Sequence, residues 1–122
     1  GIMFYPDSGL LAISTETDNE YVEPLIQEVY HEIDRLHQEP VSAEELTIVR
    51  NYMLGEMCRS YESPFSLSDA WIFIATSGLD DDYFSRSLLA VNEVTPMEIQ
   101  DLAQRYLCKE TLKEVIAGKK LS

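Results

Sequence analysis

With 122 residues, 45% of them hydrophobic, the chain is long enough to bury a core without staples and too apolar to be disordered. Nine Lys and Arg against 22 Asp and Glu leave a net charge of -13. Such a surface repels phosphate backbones and anionic lipid, so no nucleic acid and no membrane is expected as a partner; proteins and peptides, basic ones first, are favoured.

The first predicted elements are two strands around a Pro-Asp-Ser-Gly turn. Ile2 to Tyr5 is short and apolar, and Leu10 to Thr15 alternates with both faces fairly apolar, as in a strand inside a sheet. Val22, Leu25, Ile26, Val29, Ile33 and Leu36 then fall on one helical stripe. Pro24 restricts the start of that helix to about Asn19 or Glu20. Ser42 with Glu45 forms a capping-box pattern opening a second helix, whose buried face reads as Leu46, Val49, Met53 and Met57.

Ser63-Pro64 starts a third helix and Gly78 stops it; Trp71 to Ala75 is apolar around most of the circumference and is expected to be enclosed. A shorter fourth helix follows Asp80 or Asp81. The fifth carries Thr95 as N-cap, Pro96 at N1 and Glu98 at N3, with Ile99, Leu102, Ala103 and Tyr106 inward. Val115 to Ala117 reads as a last strand. The order implies an α+β class: an antiparallel sheet of about three strands covered by about five helices. So thin a sheet under so many helices implies that residues 1–122 are one domain fragment, half of a two-layer sandwich.

His31 and His37, with Glu32 and Asp34 between them, have the look of a metal site. A helix turns about 100° per residue, so the two imidazoles lie about 120° apart around the axis. A helical zinc pair needs spacing i, i+4, and those positions hold Arg35 and Ile33. A solvated face, with one histidine at the core edge, is the better reading. The acidic pair Glu44–Glu45 and the run Asp80–Asp82 sit at helix starts, where the dipole accounts for them, and the run lacks the glycine and terminal Glu of a calcium loop. Cys58 and Cys108 form no C-x-x-C and read as buried structural thiols. The aromatic residues read as core, Tyr61 and Tyr83 being the partly exposed ones. No catalytic, metal-binding or substrate-binding residue is assigned.

The succession of motifs is more specific than any one of them. Val41, Ser42, Glu44, Glu45, Leu46 and Gly55, then Val94, Thr95, Glu98, Ile99, Gln100, Ala103, Tyr106, Leu107 and Gly118, resemble the inverzincin zinc peptidases, the insulinase, pitrilysin and mitochondrial-processing-peptidase relatives. The resemblance implies the C-terminal half of the second, non-metal-binding domain. No H-x-x-E-H occurs in the chain, so no cofactor is expected here, and zinc is expected in the catalytic domain of a parent protein. The chain would then supply chamber wall and interdomain packing rather than chemistry. Its expected partners are the parent's catalytic domain, peptide substrates through that parent, and a second copy through an open sheet edge. A structural or assembly protein of the same fold, or an acidic protein-binding adaptor, are the alternatives.

Overall fold

The computed structural model describes residues 1–5 and 7–118. Two strands and five α-helices follow one another: β1 Ile2–Tyr5, β2 Ser8–Leu11, α1 Val22–Gln38, α2 Ala43–Arg59, α3 Pro64–Ser77, α4 Tyr83–Glu93 and α5 Pro96–Tyr106. The class is α+β, as expected, with a smaller sheet. Among the described residues, no helix is long and apolar enough to cross a membrane. The chain divides into two units. One joins Gly1–Ile13 to Ala43–Val94; the other joins Ser14–Ser42 to the chain from Thr95 onward.

In the first unit, β1 and β2 pair antiparallel, with Ile2 opposite Leu11 and Tyr5 opposite Ser8. Ser8 and Gly9 belong to the strand rather than to the predicted turn, and Pro6 lies outside the described residues. The second strand stops at Leu11 instead of reaching Thr15. Ala12 still bonds the Gly1 carbonyl at 2.9 Å, and Ile13 to Thr15 have no ladder partner among the described residues. All four β2 residues are exposed, so the expectation of an interior strand is overturned. Val115 to Ala117 forms no strand either, and Val115 is 92% exposed. A strand is defined by its ladder partner, and among the described residues this segment has none.

Helix α3 opens and closes as its sequence requires. The Ser63 hydroxyl accepts from the Ser66 amide at 3.0 Å, and the Ser66 hydroxyl accepts from the Ser63 amide at 3.2 Å. Pro64 occupies N1, where no amide is missed. Gly78 takes φ +65°, the left-handed conformation in which a helix can end without a Cβ penalty. Gly78→Ala should therefore cost about 1 kcal/mol, read as a lower urea midpoint with an unchanged slope.

The inner side of α2 is turned from the predicted one. Leu46 is buried and Arg50, Leu54 and Met57 are half-buried, while Val49 and Met53 are exposed. Arg50 is the reason. Its Nε donates to the Val91 carbonyl at 3.1 Å and its Nη2 to the Val94 carbonyl at 2.5 Å. Val91 and Val94 belong to the end of α4, where carbonyls have no intrahelical partner. The guanidinium satisfies two of them, which places Arg50 on the inner side of α2 with Leu46 and Leu54. Beside this contact, Tyr61 meets Phe84 edge-on at 4.9 Å, and Tyr83 lies 5.7 Å from Phe84 and 5.9 Å from Phe73. Tyr61 and Tyr83 are half-buried, as expected, and burial pushes the Tyr61 phenol above its ordinary pKa.

In the second unit, a single 3₁₀ turn over Asn19–Tyr21 leads into α1, so Pro24 falls in the first helical turn. The stripe read from the sequence is the inward one: Ile33 is buried, and Val22, Leu25, Ile26, Val29 and Leu36 are half-buried. α1 packs against α5, whose Ala103 is buried. A small residue there lets the two helices approach closely. Leu102 and Tyr106, expected inward, are exposed.

Candidate functional site

Histidines 31 and 37 do not converge. His31 is exposed, whereas His37 is half-buried, with Nε2 3.0 Å from the Ala103 carbonyl oxygen. That oxygen can only accept, so Nε2 carries the proton. The carbonyl of His37, in the last turn of α1, accepts from Gln100 Nε2 at 2.9 Å and Gln104 Nε2 at 2.8 Å. Two amides four residues apart on α5 thus close the end of α1. Among the described residues, no three His, Cys, Asp or Glu side chains are grouped so as to hold a metal ion.

The same helix anchors the segment after α5. Lys109 Nζ pairs with the Asp34 carboxylate and stands 5.6 Å over the Tyr30 ring. The Tyr30 hydroxyl donates to Glu114 Oε1 at 2.7 Å, and that bond holds the phenol above its ordinary pKa. Three side chains of α1, Tyr30, Asp34 and His37, therefore face α5 and the chain beyond it. They lie three and four residues apart, the spacing of one helical face. The arrangement ties α5 and the chain beyond it to one face of α1.

Helix α5 is capped as predicted. Glu98 Oε2 accepts from the Thr95 amide and hydroxyl, both at 2.8 Å, and the Glu98 amide donates to Thr95 Oγ1 at 3.3 Å. The Thr95 hydroxyl first, then its amide, hold the Glu98 carboxyl below its usual value of 4.5. A depressed folded pKa adds stability that is complete above the unfolded value and lost as pH falls through the folded one. Protection of α5 amides from hydrogen exchange should accordingly fall below about pH 4.5 in the native chain. In Glu98→Gln that acid-limb dependence should be reduced.

Many large apolar side chains lie on the surface. Only Ile33, Leu46, Ile74 and Ala103 count as buried core among the described residues. Most of the aromatic residues expected in the core lie outside it: Tyr5, Tyr21, Tyr52, Phe65, Trp71 and Tyr106 are exposed. Cys58 is exposed and Cys108 half-buried, so neither is the buried thiol expected. Helix α3 departs furthest from the sequence reading. Trp71, Ile72 and Ala75, expected to be enclosed, are exposed, and Ile74 alone of that stretch is buried.

Arg50, Gln100, Gln104 and the Tyr30–Glu114 pair were not legible as contacts in the sequence. Arg50 did leave a signal: a lone arginine on the line Leu46–Arg50–Leu54–Met57 of an otherwise apolar stripe. Gln100 and Gln104 are four apart, a weaker sign of one shared acceptor.

Residues 1–53 match a family model described as the peptidase M16 inactive domain. Searches of curated proteins and of solved structures return no significant match. The matched stretch contains both strands, α1 and the beginning of α2, and with them Val41, Ser42, Glu44, Glu45 and Leu46 of the motif read above. Gly55 and the positions from Val94 to Gly118 lie beyond it. The match agrees with the expected resemblance: over its first 53 residues the chain is similar to the inactive domain of the M16 peptidases.

Proposed function

We propose that the chain is a non-catalytic portion of a zinc-dependent metalloendopeptidase, forming part of the wall of its chamber and packing against its other domains. The match to the family's inactive domain over residues 1–53 carries this reading. The absence of H-x-x-E-H from the sequence agrees with it, because that motif would supply the zinc ligands and general base. Zinc, on this reading, sits in a catalytic domain elsewhere in the parent, and peptides reach this chain through that domain. The exposed apolar side chains of α2 and α3 support a packing role, since faces of that kind mark contacts with other protein. The hairpin's outer edges, unpaired among the described residues, offer a second route of association. Like charge between two copies of so acidic a chain weakens that route.

The test is made on the parent protein. Its coding sequence should contain H-x-x-E-H in another domain, and the purified protein should hydrolyse peptides in a way that chelation abolishes and zinc restores. The 122-residue chain alone should show no hydrolysis. A parent with no such motif and no chelator-sensitive hydrolysis would sink the peptidase reading.

A further inference from the structure

We infer that one face of α3 is the surface by which this chain packs onto the remainder of its parent, and that the opposing surface is apolar with a basic rim. The inference rests on the proposed function and adds to it the place of contact and the chemistry of the partner.

At about 100° per residue, Phe65, Ser68, Trp71, Ile72 and Ala75 fall within an arc of roughly 120°. All five are exposed, Phe65 at 84% and Ile72 at 56%. Ser66, Ala70, Phe73 and Ile74 occupy the opposite side and are half-buried or buried. α3 thus turns one apolar side to its own unit and a second apolar side outward. A helix that is hydrophobic all round belongs in an interior, so the outward side is built to be covered. No charge interrupts it; the helix's single charged residue, Asp69, borders it next to Phe65 by helical position.

Charge selects the occupant. The unit that contains α3 has ten acidic residues against three arginines and no lysine or histidine, a net of -7. Each arginine is engaged within the unit: Arg50 on the α4 carbonyls, Arg59 with Glu56, and Arg86 with Asp80 and Asp82. A second copy meeting it through the same unit would bring the same net of -7 and only those three engaged arginines. An apolar surface rimmed by Lys and Arg complements the face in both its centre and its edge. The family match supplies the occupant, because an inactive domain has the rest of an M16 protein beside it.

A photo-crosslinking amino acid placed at Phe65, and separately at Ile72, in the full parent protein tests this. Phe65 is exposed enough to accept the bulk without disturbing α3. Crosslinked peptides should come from parent segments outside residues 1–122, apolar at the centre and flanked by Lys or Arg. The same group at Val115, on the other unit, should not yield those peptides. Crosslinks confined to residues 1–122, crosslinks between two copies, or crosslinks to acidic segments would each overturn the assignment of this face while leaving the family reading intact. A parent with no other M16 region would instead overturn that reading, and the assignment with it.

Discussion

Ile33→Ala should lower the stability of the unit built on α1 and α5 by about 2–4 kcal/mol, the largest effect expected from any single truncation in the chain. Ile33 is only 3% exposed and lies at the α1–α5 contact, whose other buried residue is Ala103. Removing its branched side chain takes away apolar burial and leaves a hole that neighbouring helices fill incompletely. With only four buried apolar residues among those described, few others can compensate. Urea unfolding should show the midpoint fall. Hydrogen exchange should localise the change to α1 and α5, with the hairpin and α4 amides less affected. An equal loss of protection across both units would show that they unfold as one.

Arg50→Met should cost about 2 kcal/mol by stranding the α4 carbonyls that the guanidinium now serves. Methionine keeps the length and apolar stem of the side chain, so the loss reports the two hydrogen bonds rather than the packing. Arg50→Lys should recover only part of it. A point-like ammonium cannot reproduce the fork that reaches Val91 and Val94 together. The urea midpoint of the three proteins should rank Arg, then Lys, then Met. Equal midpoints for Lys and Arg would mean that charge at the α4 end, and not bidentate geometry, is what matters.

How far the sequence could be read follows from the range of the forces involved. Ser63 with Pro64 and Gly78, and Thr95 with Pro96 and Glu98, mark helix ends through contacts that span three or four residues; α3 begins and ends, and α5 begins, where those residues stand. The α1 stripe is also local, set by the helical period, and Ile33 lies on it and is buried. The same reasoning placed Val49 and Met53 of α2 inward, and both are exposed. Apolarity alone cannot choose between two apolar sides of one helix. The choice was made by Arg50, through carbonyls more than forty residues along the chain.

The third strand failed for a related reason. Val115 to Ala117 has the residues of a strand, but a strand needs a neighbour, and the composition of a segment does not say whether one stands beside it. The histidines show both outcomes within eight residues. Their angular separation followed from helical geometry alone and ruled out a shared ion. That His37 would lie against the Ala103 carbonyl, with Gln100 and Gln104 closing its own, required α5 to be in place.

By itself, then, the sequence determined where α3 starts and stops and where α5 starts, that His31 and His37 lie on different sides of α1, and which peptidase family its motifs resemble. Each of these depends on spacing along the chain. Only the tertiary structure decided which apolar faces are covered and which, like that of α3, are left exposed, because covering a face requires a partner that spacing does not specify.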